Sequence, residues 1–118
     1  MIEARDINKS FGEQQVLCDV SVRFERGKCN LIIGQSGSGK TVFMKCLLGL
    51  ITPDRGTISY EGRVYSKLSP EEQRDLRQEM GMVFQGSALF DSMTVEGNVM
   101  FPLDMFTKQS RAEMKDWV

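Results

Sequence analysis

Apolar and polar positions alternate imperfectly from residue 16 to 24, where Val16, Leu17, Val20, Val22 and Phe24 predict a strand. Residues 2–8 predict another, and Phe11-Gly12-Glu13-Gln14 supplies the turn that folds the two into an antiparallel hairpin. Glu25-Arg26-Gly27-Lys28 is a second turn. It leads into the continuous apolar run Cys29 to Ile33, the pattern of a central strand covered on both faces. Val42, Phe43, Cys46, Leu47, Leu48 and Leu50 then predict a helix over 42–50 with an apolar surface around most of its circumference, packed inside. Thr52-Pro53-Asp54-Arg55-Gly56 ends it, and residues 57–60 and 63–65 flank Glu61-Gly62 as a tight hairpin. Ser69-Pro70-Glu71-Glu72 is a capping box with proline at the first helical position. The helix it opens runs to about Glu79 and has only a thin apolar stripe, Leu76 and Met80, which suits a surface position. Met80 to Phe84 predicts another short buried strand, ending at Gln85 and followed by the loop Gly86 to Asp91. Thr94 can cap a short helix Val95 to Met100, and Ser110-Arg111-Ala112-Glu113 opens a further helix that is cut off at Val118.

The segment between the apolar strand and the apolar helix carries the chemistry. Gly34-Gln35-Ser36-Gly37-Ser38-Gly39-Lys40-Thr41 satisfies G-x-x-x-x-G-K-[ST] at every specified position, in the strand-loop-helix setting the motif requires. Glycines free the backbone to turn successive N–H groups inward, forming an anion nest at the positive end of the helix that begins with Val42. Lys40 is the one cation in the loop and is placed for the terminal phosphates of a nucleotide, and the Thr41 hydroxyl for Mg²⁺.

With 118 residues, 41% hydrophobic and 26% charged, the chain fits one domain or part of one and not two. A net charge of −1 with interspersed signs gives no basic field for nucleic acid and no polybasic run for a membrane surface. No apolar run approaches the roughly 18 residues of a membrane span, and residues 1–30 lack the layout of a signal peptide. A cytosolic chain, at most docked on a membrane protein, is expected. Cys18, Cys29 and Cys46, odd in number and without C-x-x-C spacing, predict small buried hydrophobes rather than ligands or a disulfide. The absence of histidine excludes imidazole general bases, triads and imidazole metal sites within the chain.

The order of these features resembles the ATP-binding subunit of an ABC transporter: an aromatic at Phe11, the phosphate loop, Pro53-Asp54-Arg55-Gly56-Thr57-Ile58, then Gly81-Met82-Val83-Phe84-Gln85. Gly86 to Val95, with Asn98-Val99 and Phe101-Pro102-Leu103 after it, is similar to the Mce-associated phospholipid and lipid-asymmetry transport ATPases. The resemblance covers essentially all 118 residues. It implies an α/β fold: a RecA-like P-loop NTPase core with an antiparallel β subdomain, here truncated before the L-S-G-G-Q signature, the Walker B segment and the switch histidine. On that pattern residues 1–93 are the β subdomain and core up to the Q-loop, and 94–118 begin the helical subdomain. The family pattern also implies that Phe11 stacks on adenine with Val16 packing beside it, and that residues 34–42, Gly34 to Val42, cradle the phosphates of ATP. Lys40 and Gln85 would be the catalytic side chains, with Thr41 and Gln85 approaching Mg²⁺ and Gln85 the attacking water. Phe90 and Met93 are either apolar contacts for a partner or buried loop residues. Expected partners are a second ATP-binding subunit in a head-to-tail homodimer, a transmembrane permease that holds the subunit on the inner face of the membrane, and a lipid-binding substrate protein. Two positions depart from the family: Lys28 stands where Glu is common after Gly27, and Gly97 where Glu is frequent, the latter at a cost of about 1 kcal/mol of helix stability relative to Ala. Competing readings are a non-transport P-loop ATPase, a P-loop kinase, against which the Phe84-Gln85 loop argues, and a non-functional fragment.

Overall fold

The hairpin expected at the start of the chain forms, and it is longer than the pattern indicates. In the computed structural model, which describes residues 1–118, β1 (Ile2–Phe11) pairs antiparallel with β2 (Gln14–Phe24) across a turn at Gly12-Glu13. The second predicted hairpin is also present, as β3 (Arg55–Tyr60) and β4 (Arg63–Val64), followed by a short 3-10 turn at Tyr65–Lys67. Its place in the sheet is new. β3 pairs with β1, from Ile2 opposite Tyr60 to Arg5 opposite Thr57, so the two hairpins merge into one antiparallel sheet of order β2-β1-β3-β4.

Three register shifts interrupt β1 against β2. Asn8, buried, bonds across them. Its amide nitrogen donates to the Asp6 carbonyl at 2.9 Å and to Asp19 Oδ1 at 2.8 Å, while its Oδ1 accepts from the Asp19 N–H at 3.2 Å and from Gln15 Nε2 at 3.3 Å. Both polar ends of the side chain are thereby satisfied, which a buried amide requires.

Helix α1 (Lys40–Leu47) covers the sheet with Phe43, Cys46 and Leu47, spaced to share one face. They join Ala4, Ile7, Leu17, Ile58, Tyr60 and Leu76 in a single core. Each large apolar side chain so buried contributes about 1.5–3 kcal/mol. The Tyr60 hydroxyl, buried, donates to the Leu47 carbonyl and so satisfies an orphan acceptor at the helix end. Burial, with Tyr65 beside it, pushes that hydroxyl up to about 12, which keeps it a donor. The helix begins two residues before the predicted Val42 and stops before Leu50. The Leu50 N–H bonds to the Lys45 carbonyl at 2.9 Å and the Gly49 N–H to that of Cys46 at 3.0 Å, a Schellman ending. Its apolar circumference is also less covered than expected, with Met44 and Leu50 exposed.

Two predicted strands are absent. Cys29–Ile33 carries no ladder hydrogen bonds, and Leu31 and Ile33 are 85% and 82% exposed. Met80–Phe84 is likewise not a strand, with Val83 94% exposed. A strand needs a neighbour to take its N–H and C=O groups, and neither run belongs to the sheet. Cys18 and Cys29 are exposed and only Cys46 is buried, because alternate residues of β2 face solvent and the run around Cys29 is uncovered.

Helix α2 (Pro70–Gln78) starts at the predicted capping box, with Ser69 and Glu72 bonded reciprocally, and buries Leu76 alone. Contacts divide the chain into two units, Met1–Gly81 and Met82–Val118. In the second, Thr94 caps α3 (Val95–Phe106), which runs six residues past the predicted end and through Pro102. Proline there removes one N–H, and the helix continues because later bonds, such as the Thr107 N–H to the Leu103 carbonyl at 2.9 Å, are intact. Helix α4 (Arg111–Lys115) opens on the predicted Ser110–Glu113 box. No helix is long and apolar enough to cross a membrane.

Candidate functional site

The glycine-rich loop leaves the uncovered 29–33 run, turns at Ser36-Gly37 and enters α1 at Lys40. The Ser38 N–H bonds back to the Gln35 carbonyl at 3.2 Å, which closes the turn. Lys40 folds over it: Nζ donates to the carbonyls of Gly34 at 2.6 Å and Gln35 at 2.7 Å and lies 3.3 Å from Ser38 Oγ. An ammonium is thus centred on the loop by two backbone carbonyls and the Ser38 hydroxyl, with no carboxylate bound to it.

The start of α1 differs from the other helix starts. Ser69, Thr94 and Ser110 each cap a helix with a side-chain oxygen, whereas α1 begins at Gly39, which has none, and its first turn carries no acidic residue. The first N–H groups of α1 are therefore left for an external acceptor at the positive end of the helix dipole. Gly39 is required there twice over. Its φ is 93°, and a Cβ at that position would stand 2.9 Å from the Val16 carbonyl oxygen and 3.1 Å from Val16 Cγ1. That close approach brings Val16, on β2, against the phosphate loop. Thr41 is exposed in the first turn of α1, and Val42 is half-buried against the core.

Phe11 closes β1 opposite Gln14, in the hairpin that also carries Val16. Its ring is 48% exposed, and Lys9 Nζ lies 5.4 Å from the ring centre. The structure thus gathers residues 34–42 and Val16 around one loop and leaves an accessible aromatic at the end of the neighbouring hairpin.

Gln85 belongs to the second unit, where it is exposed in a turn with Gly86. Ser87 and Ala88 follow in left-handed conformations, φ 64° and 53°, and the Ala88 N–H bonds to the Gly86 carbonyl at 2.8 Å. The residue that holds the next stretch is Asn98, named in the sequence only as part of the family-like segment and with no structural role. Its Oδ1 accepts the Phe90 N–H at 2.8 Å while Nδ2 donates to the carbonyls of Thr94 at 2.9 Å and Phe90 at 3.2 Å. An asparagine in the first turn and a half of a helix, just after a loop, was the available signal. Phe90 packs on Phe101 at 4.8 Å between ring centres yet remains 47% exposed, and Met93 is 40% exposed.

Comparison with known proteins agrees with this geometry. Residues 17–118 match the family described as ABC transporter. The chain is 38% identical over 117 residues to the probable ribonucleotide transport ATP-binding protein mkl of Mycobacterium leprae, covering 99% of this chain and 34% of that protein. It is 41% identical over 119 residues to the chloroplastic protein TRIGALACTOSYLDIACYLGLYCEROL 3 of Arabidopsis thaliana, covering 100% and 34%. The chain thus spans about a third of the length of these relatives. Among solved structures it resembles the dimeric bacterial ABC transporter cassette MJ0796, with a TM-score of 0.86 and 27% identity over 98% of this chain and 53% of that one. A phosphate loop on an α/β framework, the match over residues 17–118 and the likeness to that cassette lead to one assignment: the chain belongs to the ABC transporter family and has the fold of its P-loop ATP-binding cassettes.

Proposed function

We propose that the chain is the N-terminal part of the ATP-binding domain of a transporter subunit that couples Mg-ATP binding and hydrolysis to transport across a membrane. The observation that carries this reading is Lys40 Nζ centred on the loop at the uncapped start of α1, a cationic site whose chemistry suits a phosphate. In this reading Lys40 exchanges the Gly34 and Gln35 carbonyls for phosphate oxygens, and the backbone of residues 34–42 donates to the same group. Phe11 stacks on the base, with Val16 beside it. The Thr41 hydroxyl is the group of this loop that would hold Mg²⁺, which would neutralise developing charge on the phosphates during transfer to water. Gln85, exposed in the turn of the second unit, carries the amide that the family pattern gives to the attacking water. Residues 1–93 serve as β subdomain and core, and 94–118 as the start of the helical subdomain.

The dimeric state of the MJ0796 cassette supports a second copy as partner, and the family supports a membrane-spanning permease through which the subunit sits on the inner face of the membrane. Phospholipid is the substrate class we favour, supported by the likeness of Gly86 to Val95 to the lipid-transport ATPases, while the galactolipid in the name of the Arabidopsis relative supports a lipid in the broader sense; a lipid-binding substrate protein would then be a further partner. The ribonucleotide in the name of the mycobacterial relative defines the competing substrate.

Base stacking is open to direct test. Phe11→Ala should lower affinity for ATP and GTP alike by about 1 to 1.5 kcal/mol, since a ring face reads little of the base edge. Phe11→Tyr should bind almost as the parent does. Fluorescent-nucleotide titration decides the matter: unchanged ATP affinity in Phe11→Ala puts the base elsewhere.

A further inference from the structure

Phe11 does not stand alone at the end of β1. The Lys9 ammonium lies 5.4 Å from its ring centre, within cation–π reach, and that ammonium is itself tethered. Asp54 Oδ1 is 2.9 Å from Lys9 Nζ, and only 16% of the Lys9 side chain is exposed. Asp54 is fixed in turn by the backbone of β1: its Oδ2 accepts the Ser10 N–H at 2.7 Å, and its own N–H donates to the Asn8 carbonyl at 2.8 Å. The Lys9 ammonium and the Ser10 N–H hold its carboxyl below the usual carboxylate range, so it stays charged. The turn that precedes β3 therefore reaches across to β1 and sets where the Lys9 charge sits.

A partly exposed ion pair of this kind adds little to stability. Its placement explains more. A cation held over an aromatic ring restricts the ring's rotation and polarises its π-cloud, while Phe11 keeps 48% of its surface exposed. Fixing a side chain before binding removes part of the ordering cost of binding.

We propose that Lys9, tethered by Asp54, is a positioning residue for Phe11: the ammonium holds the ring in place so that its exposed surface is presented to a nucleobase. This inference rests on the reading that Phe11 stacks on the base.

The test titrates ATP and inorganic tripolyphosphate into the parent chain and into Lys9→Met, Lys9→Arg, Phe11→Ala and the Lys9→Met/Phe11→Ala double variant, with circular dichroism confirming the fold of each. Lys9→Met should lose about two- to fivefold in ATP affinity, and Lys9→Arg should recover most of it. Tripolyphosphate should bind all of them equally. In the Phe11→Ala background Lys9→Met should cause no further loss, since the two changes act on one contact. The inference is overturned if Lys9→Met binds ATP as the parent does while Phe11→Ala is weakened, if Lys9→Met weakens tripolyphosphate as much as ATP, or if its effect persists without Phe11. Phe11→Ala binding ATP normally would instead remove the stacking reading, and the inference with it. Should Lys9→Met fail to fold, Asp54→Asn takes its place. It keeps an acceptor for the Ser10 N–H and releases Lys9, and it should show the same loss for ATP alone.

Discussion

Lys40→Ala should weaken ATP binding at least tenfold while leaving the fold intact. Hydrogen bonds from a charged donor are worth about 1.5–3 kcal/mol, and about 1.4 kcal/mol is a factor of ten. Lys40 is the only cation in the loop, and its Nζ is already centred on Gly34 and Gln35, so no neighbouring side chain can take its place. Stability should barely change, because the bonds it makes are to exposed loop atoms and the core is built from other residues. Calorimetric titration reads the first effect and thermal unfolding the second. Unchanged affinity, or a lower affinity that merely follows a collapsed melting temperature, would contradict the assignment of Lys40 to phosphate.

A second large effect is expected at Gly56, and it concerns the framework on which the site is built. Its φ is 98°, and a Cβ there would lie 2.5 Å from the carbonyl oxygens of both Arg5 and Asp6. Those oxygens belong to β1, the strand that holds β2 and β3 together, so they cannot retreat without parting the sheet. Gly56→Ala should therefore destabilise by about 2–4 kcal/mol, the left-handed penalty compounded by a backbone clash. Gly12→Ala is the control. It shares a positive φ of 60° but meets nothing within 4 Å, and it should lose only about 1 kcal/mol. Denaturant unfolding that gives the two variants equal midpoints would mean that β3 does not approach β1 as closely as described.

What could be read in the sequence was whatever has a local cause. The boxes at Ser69–Glu72 and Ser110–Glu113 and the Thr94 cap are four-residue devices, and each is found with its bonds made. The turns at Gly12 and Gly62 bend the chain where expected. The phosphate loop was legible for the same reason, since its parts are contiguous. Cys29–Ile33 and Met80–Phe84 misled because an apolar run reports what side chains prefer and says nothing of whether a neighbouring strand is there to pair with it. The union of β1 with β3 joins residues more than fifty positions apart, Ile2 with Tyr60, and no local pattern marks it. Distant pieces also make the second layer of the site. Val16 against Gly39, and Asp54 on Lys9 beside Phe11, are contacts that exist only after the sheet has formed.

The central claim is that residues 34–42 hold the phosphates of a nucleotide, and the backbone amide resonances of the isotopically labelled chain test it most directly. On addition of Mg-ATP the largest shifts should fall on Gly37, Gly39, Lys40 and Thr41, tripolyphosphate should reproduce them, and adenosine should leave them in place. Largest shifts outside the loop, or loop shifts that adenosine alone reproduces, would contradict it.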